Sequence, residues 1–283
     1  MKKSIKAGLS AMLLGGLAYG YYQNNLLQVS RYLLEIGLPH PVRLVCLSDL
    51  HGKQFGYNNK KLFQAVAALS PGLIVFPGDT VSADCHNLLQ TTTLLKRLCS
   101  LCPCFLIPGN HEHRSGRWNE ISRLFRTAGV CVLENTQFDG EVDGVELHVL
   151  GLDEGLAVSR LDYIKAAFKK LEYPNNGLAL KALSEQQGLR IVLSHFPENY
   201  AMTEAHSYCR YPFDLMLCGH AHGGHVRFGR NKSLFAAGQG VLPRFFQGKY
   251  GHAPTLVVSR GLGNDSCLPR INNRPEIVLV TIT

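Results

Sequence analysis

The sequence lacks strong charge, low-complexity stretches and internal repeats, and each absence argues against a class of protein. Only 18% of its 283 residues are charged, whereas 46% are hydrophobic, a composition typical of a folded globular chain rather than a disordered one. No segment recurs at a fixed period, which argues against a solenoid or a propeller. At this length the chain can bury a full core as one large domain or as two small ones.

The N-terminal segment has an apolar run, but a short one. Residues 7–22 are uncharged, yet a membrane-spanning helix needs about 17–25 apolar residues, and several glycines dilute this run. Lys2, Lys3 and Lys6 precede it, as basic residues precede the apolar part of a signal sequence. We expect residues 1–25 to be an uncleaved membrane anchor. A cleaved signal peptide and an N-terminal helix packed on a soluble domain are the alternatives.

The charges that flank the apolar run predict its orientation. Basic residues lie ahead of the run, whereas only Arg31 follows it closely, and this asymmetry places the N-terminus in the cytoplasm. We therefore expect residues 26–283 to form a membrane-anchored domain outside the cytoplasm, or a secreted domain if the segment is cleaved.

Nine cysteines are present, an odd number. Several lie inside or beside apolar runs, where a free thiol acts as a small core hydrophobe: Cys46, Cys104, Cys131 and Cys218. The cysteines at 99, 102 and 104 lack the second paired half of a zinc site, so we predict buried thiols there instead of a metal. If the domain lies outside the cytoplasm, so many free thiols predict a reducing habitat.

Basic charge is concentrated near the C-terminus. The net charge is +8, and beyond His222 only Asp265 and Glu276 are acidic. A solvated basic face is one interpretation, and a field that attracts an anionic substrate or lipid headgroups is the other. The segment Val226–Tyr250 interleaves basic and aromatic residues. It is therefore either a membrane-facing loop or a structured loop with a buried aromatic patch.

Short apolar runs without alternation predict buried strands. The first set is Leu44–Leu47, Leu73–Phe76, Phe105–Ile107, Ile191–Leu193 and Leu215–Cys218. Further strands are predicted at Val130–Leu133, Val145–Leu150, Thr255–Val258 and Ile277–Ile282. Helical segments are predicted at Asn59–Leu69, Asn87–Leu101, Gly116–Ala128 and around Ser159–Leu171. This order predicts an α/β fold in which two mixed β-sheets form a sandwich flanked by helices.

Each strand of the first set runs into polar residues that a core does not need. In chain order these residues are Asp49, His51, Asp79, Asn110, His111, His195, His220 and His222. Ligands of open α/β sheets bind beyond the carboxyl ends of the strands, so we expect these side chains to meet at one edge. Histidine nitrogens with carboxylate and amide oxygens suit divalent Mn, Zn or Fe. Each motif alone is weak evidence, but their ordered conjunction at successive strand ends predicts a metal centre.

The ordered series Asp-x-His, Gly-Asp, Gly-Asn-His-Glu, His and Gly-His-x-His resembles the signature of the calcineurin-like metallophosphoesterase superfamily. The resemblance extends over essentially all of the chain from Leu44 to Ile282. It implies two divalent ions bridged by Asp79, with these further ligands: Asp49, His51 and His222 for one ion, and Asn110, His195 and His220 for the other. It also implies that His111 is a catalytic histidine that binds no metal. Glu112 either orients a histidine of the site or is a solvated acid.

The predicted reaction is hydrolysis of a phosphoester or pyrophosphate bond by the domain formed by residues 26–283. The N-terminal segment and the motifs around His195 and His222 resemble a bacterial, membrane-anchored branch with members similar to UDP-2,3-diacylglucosamine pyrophosphatase. That resemblance implies a lipid-linked phosphorylated substrate, and we expect a monomer without a nucleic-acid partner. The alternatives are a metal-dependent nuclease or phosphodiesterase acting on soluble nucleotides, a phosphoprotein phosphatase, and a non-catalytic metal-binding envelope module.

Overall fold

The computed structural model describes residues 2–155, 176–201, 207–229, 232–264 and 270–283. The helix predicted around Ser159–Leu171 lies outside these residues, as does Arg230 of the basic and aromatic segment.

The described strands, in chain order, are β1 Gln28–Leu34, β2 Val42–Cys46, β3 Leu73–Pro77, β4 Cys104–Ile107, β5 Cys131–Val132, β6 Thr136–Val142, β7 Val145–Gly151, β8 Leu189–Leu193, β9 Leu215–Cys218, β10 Phe235–Ala236, β11 Gly240–Val241, β12 Gly248–Tyr250, β13 Thr255–Val258 and β14 Glu276–Ile282. The described α-helices are α1 Lys2–Asn25, α2 Lys60–Ala67, α3 Leu88–Cys99, α4 Asn110–Arg114, α5 Trp118–Thr127 and α6 Gly177–Ser184. Short 3₁₀ turns lie at Tyr57–Asn59, Pro197–Ala201, Tyr208–Arg210 and His222–Gly224.

Two six-stranded sheets make up the body of the fold. The first has the order β1-β14-β2-β3-β4-β5, and the second has the order β12-β13-β9-β8-β7-β6. Both sheets are mixed: β2 to β5 run parallel while β14 pairs antiparallel with β2, and β7, β8 and β9 run parallel while β6 pairs antiparallel with β7. The predicted architecture of two mixed sheets is confirmed.

Apolar side chains fill three layers. Between the sheets, buried residues of both pack together, among them Leu44, Phe105 and Ile191. On the outer face of the first sheet, helices α2, α3 and α5 bury Leu62 and its neighbours. On the outer face of the second sheet, α6 packs through Leu180. Each sheet is thus covered on both faces, which explains why its central strands have apolar runs without alternation.

The strand ends that carry the predicted ligands are distributed over both sheets. The sequence predicted that the ligands lie at one sheet edge. The ends of β2, β3 and β4 do lie in the first sheet, but β8 and β9 belong to the second sheet. The two sheets face each other across the shared core, so their ligand-bearing ends meet at the same end of the sandwich. The physical reason is that the chain crosses to the second sheet after β5, where β6 pairs with β7.

The N-terminal segment is helical over Lys2–Asn25. Within the residues described above, none of the helices combines the length and the apolar character that crossing a membrane requires.

Every cysteine that the structure describes is a free thiol, and Cys46, Cys104 and Cys218 are buried. The prediction of core thiols is confirmed for these three. Cys99 and Cys102 are only half-buried, so the prediction of buried thiols is wrong for these two. Cys131 is also only half-buried, because it lies on the short edge strand β5.

Candidate metal centre

All seven residues predicted as metal ligands are buried and lie together at the strand ends: Asp49, His51, Asp79, Asn110, His195, His220 and His222. The strands that precede them contribute buried side chains to the core between the sheets, so the ligands follow well-packed backbone. Their placement gives two groups of possible ligands.

The first group contains Asp49, His51 and His222, whose ligand atoms lie within 4.8 Å of one another. The Nε2 atoms of His51 and His222 are 3.2 Å apart, and the two rings stack with their centroids 5.1 Å apart. The Nε2 atom of His222 is 3.7 Å from a carboxylate oxygen of Asp49. Two ring nitrogens and one carboxylate oxygen therefore converge on a common point.

The second group contains Asp79, His195 and His220, again with ligand atoms within 4.8 Å of one another. The Nε2 atom of His195 lies 3.2 Å from Oδ2 of Asp79 and 3.1 Å from Oδ1 of Asn110. The other ring nitrogen of His195, Nδ1, is 2.8 Å from the carbonyl oxygen of Pro77. A hydrogen bond from Nδ1 to that carbonyl fixes the ring with Nε2 towards the ligand oxygens, as is typical of metal-binding histidines.

Asp79 lies between the two groups. Its Oδ2 atom is 3.2 Å from Nε2 of His195 and 3.8 Å from Nε2 of His51, so one carboxylate oxygen faces a histidine of each group. Its Oδ1 atom accepts a hydrogen bond of 2.8 Å from the backbone N–H of His111. A carboxylate in this position can bridge two cations that the two groups hold.

The electrostatics of the centre fit divalent cations. Burial lowers the pKa of His220 and of His222 well below the usual value, so both rings are neutral and offer lone pairs. Burial also raises the pKa of Asp49 to about 7, with repulsion from Asp79 adding to the rise. Although burial lowers the pKa of His195, the carboxylate of Asp79 raises it to about 10. A cation bound beside Asp79 would compete with that proton for the ring nitrogen, since histidine binds a metal only in its neutral form.

The backbone at the centre is strained. Several non-glycine residues have left-handed backbone with φ between 48° and 63°: Asp49, His51, Asp79, His220 and His222. Each such residue costs on the order of 1–3 kcal/mol and persists only where surrounding contacts hold it. Strain concentrated at the predicted ligands is typical of a functional site.

Two glycines permit close approach of the ligand loops. A Cβ atom at Gly78, where φ is 87°, would lie 2.5 Å from Nδ1 of His195. A Cβ atom at Gly219 would overlap with Ser48 and press on the carboxylate of Asp49. Side chains at these positions would displace His195 and Asp49, so glycine is needed for the close approach at both positions.

Glu112 joins two of the ligand loops. It is fully buried, and its carboxylate accepts hydrogen bonds from the backbone N–H groups of Asp79 (2.9 Å), Gly109 (2.8 Å) and Val81 (3.0 Å). Burial raises its pKa to about 7. The interpretation as a solvated acid is wrong; Glu112 holds the backbone around the predicted bridging carboxylate, rather than a histidine ring.

Glu154, which the sequence analysis did not single out, supports the loop of His195. Its buried carboxylate accepts hydrogen bonds from the hydroxyl of Ser194 (2.8 Å), the backbone N–H of His195 (2.9 Å) and the hydroxyl of Tyr208 (3.0 Å). The sequence did contain a signal for Glu154. It is a polar residue that follows the apolar run of β7, as each predicted ligand follows the apolar run of its own strand.

His111 lies beside both groups. Its ring packs edge-on against His51 with centroids 4.6 Å apart, and the backbone N–H of Ala83 donates to its Nδ1 atom at 3.3 Å. Because Nδ1 accepts that bond, the neutral ring carries its proton on Nε2. His111 also forms a group with His51 and Asp79 whose atoms lie within 4.8 Å, so its ring faces the centre.

Comparison with known proteins gives one family and several relatives. The model of a family described as calcineurin-like phosphoesterase matches residues 42–224. An uncharacterized metallophosphoesterase of Aquifex aeolicus is 28% identical over 96% of this chain and 97% of its own. Phosphodiesterase YaeI of Escherichia coli is 26% identical over 86% of this chain and 82% of its own. UDP-2,3-diacylglucosamine pyrophosphatase LpxG of Chlamydia muridarum is 26% identical over 79% of this chain and 77% of its own.

Proposed function

This chain belongs to the calcineurin-like phosphoesterase family, and we propose that it hydrolyses a phosphoester or pyrophosphate bond with two divalent ions of Mn, Zn or Fe. The observation that carries the proposal is the carboxylate of Asp79 between two groups of ligands. Asp49, His51 and His222 would hold one ion, and the second would be held by Asn110, His195 and His220. Asp79 would contact both.

The residues of the centre have different roles in the proposed reaction. Divalent ions held here would supply Lewis acidity at phosphate oxygens and make water a usable nucleophile near neutral pH. Asp79 lies between the two ligand groups, and Glu112 and Glu154 hold the backbone of the loops that carry them. The Nε2–H group of His111 is placed to donate to the oxygen that leaves phosphorus.

Removal and return of metal tests this proposal. Protein stripped with a strong chelator should lose its hydrolysis of bis(p-nitrophenyl) phosphate by about 10³-fold or more, because the nucleophile and the charge stabilisation depend on the ions. Activity should return with Mn, Zn or Fe in parallel with two ions per chain, measured by elemental analysis. Turnover by stripped protein at the original rate would overturn the proposal.

We propose further that the substrate is linked to a lipid. The β10–β11 hairpin exposes Phe235 and Val241, which pair across its strands, and Leu242, whose backbone N–H donates to the carbonyl of Leu234 at 3.0 Å. Its turn lies against the centre, because a Cβ atom at Gly238 would lie 3.5 Å from Nε2 of His220. Exposed apolar side chains beside a metal centre suit acyl chains or a bilayer.

The charge around this hairpin supports an anionic lipid surface as the binding partner. The sequence from 223 to 264 contains no acidic residue, and Arg227, Lys232, Arg244 and Lys249 flank the exposed apolar residues along the chain. Juxtaposed apolar and basic side chains attract anionic headgroups. The relative from Chlamydia muridarum is named for an acylated substrate, which agrees with this class. Membrane attachment through residues 1–25, with the catalytic domain outside the cytoplasm, belongs to the same proposal.

The double variant Val241→Ser, Leu242→Ser tests the lipid-linked substrate. We expect kcat/KM to fall by about tenfold on a phosphoester presented in anionic vesicles, since two apolar side chains lose their lipid contacts. The value on soluble bis(p-nitrophenyl) phosphate should stay unchanged. Leu89→Ser, at an equally exposed leucine on α3, is the control. Equal losses on both substrates would mean that the hairpin serves the metal centre. If the wild-type protein turned over soluble nucleotides faster than the phosphoester in vesicles, a soluble nucleotide would be the favoured class of substrate.

A further inference from the structure

The turn that carries His222 is strained and depends on outside contacts. His222, Gly223, Gly224 and His225 all have positive φ, at 48°, 61°, 69° and 55°. A run of left-handed backbone does not hold itself, so the surrounding residues have to fix it. The position of His222, a ligand in the proposed function, therefore depends on what binds this turn.

Asn273 binds both ends of the turn. Its side chain is fully buried, and its Nδ2 atom donates to the carbonyl oxygens of His222 at 2.7 Å and of His225 at 3.2 Å. A Cβ atom at Gly223 would collide with the side chain of Asn273, so the glycine allows this close approach. Asn273 thus holds the turn from outside, although it lies 51 residues from His222 in the chain.

Asn273 is held in turn by the C-terminal end of helix α1. Its backbone N–H donates to Oε1 of Gln23 at 2.9 Å, and Gln23 is buried. The residues on either side of Asn273 are bonded to the same helix. The hydroxyl of Tyr19 donates to Asn272 at 2.7 Å, and the guanidinium of Arg274 donates to the hydroxyl of Tyr22 at 3.1 Å.

We infer that Gln23 is a positioning residue of the metal centre, acting through Asn273 on His222. Helix α1 is then a structural part of the site, beyond any role in attaching the protein to a membrane. This inference rests on the proposed function, because it takes His222 to hold one of the two ions. The other group of ligands is supported elsewhere, as His195 is fixed by the carbonyl of Pro77 and by Glu154. Loss of the Gln23 contact should therefore loosen one ion and spare the other.

A pair of variants isolates the accepting oxygen of Gln23. Gln23→Met keeps the length of the side chain but removes the acceptor, whereas Gln23→Glu keeps an oxygen that can accept the N–H of Asn273. The measurement is the loss of metal from fully loaded, full-length protein to an excess of a chromogenic chelator. We expect one of the two ions to leave about 10- to 100-fold faster from Gln23→Met, because changes to residues that support metal ligands typically weaken metal affinity by about that factor. The second ion should leave at the wild-type rate, and Gln23→Glu should restore slow loss of both.

Controls separate positioning from general stability. Tyr21→Ala changes an exposed residue of the same helix and should leave both rates unchanged. Equal acceleration of both ions in Gln23→Met would mean that the contact only stabilises the fold, and unchanged rates would mean that Gln23 does not act on His222. Either result would overturn the inference while wild-type protein still held two ions. Wild-type protein that binds no metal would overturn the proposed function and the inference with it.

Discussion

Asp79→Asn is expected to fold normally and to lose both its full metal content and nearly all of its activity. The Oδ1 atom of the asparagine can still accept the backbone N–H of His111, so the loop keeps its hydrogen bond. The amide nitrogen that replaces Oδ2 cannot bind a cation, and it would face Nε2 of His195, now 3.2 Å from the oxygen. We expect kcat/KM on bis(p-nitrophenyl) phosphate to fall by at least about 10³-fold, since loss of one preorganised electrostatic group alone costs about 10²–10³.

The measurements for Asp79→Asn are elemental analysis, circular dichroism and kcat/KM. Asp84→Asn is the matched control, because Asp84 is an exposed carboxylate paired with His86 outside the centre. The control should keep two ions and full activity. Two ions per chain in Asp79→Asn, with native circular dichroism, would contradict the bridging role of the carboxylate.

The central strands could be predicted from the sequence because the fold buries them on both faces. β3 and β9 are apolar at every position and are buried along their whole length. β1 and β6 escaped prediction because their exposure varies along the strand, as expected for a strand at or near a sheet edge. The pairing of β1 with β14 joins the two ends of the chain, and no local pattern reports such a contact.

The residues of the centre could be predicted only where they belong to a short motif in the sequence. His220 and His222 belong to one motif directly after the buried strand β9, so their position in the sequence was enough to predict them as ligands. Glu154 and Asn273 act through hydrogen bonds to residues that lie far away in the sequence. Glu154 follows a buried strand as the ligands do, but it is not part of their motifs, and no such local signal marks Asn273. Gln23 directly follows the apolar run of residues 7–22, and nothing in that pattern indicates that its side chain is buried against Asn273.

His111→Ala should separate the donor of the centre from its ligands. A donor matters in proportion to the negative charge that the leaving oxygen acquires. An alkyl alcohol leaves poorly without a proton, whereas a nitrophenolate leaves readily on its own. We therefore expect His111→Ala to keep both ions and to lose about 10²–10⁴-fold in kcat/KM on alkyl phosphoesters. The loss on nitrophenyl esters should be clearly smaller.

The measurement for His111→Ala is kcat/KM across a series of leaving groups at constant metal occupancy. His195→Ala should depress every substrate alike, because the Nε2 atom of His195 faces Asp79 and Asn110 and its loss would disturb a metal. His40→Ala, at an exposed histidine outside the centre, should leave the series unchanged. The N–H of Ala83 is bound to the Nδ1 atom of His111, so the neutral ring has its N–H at Nε2 whatever the leaving group is. A uniform loss across the series would therefore mean that this N–H binds a phosphate oxygen that does not leave, and His111 would no longer be the donor to the leaving group.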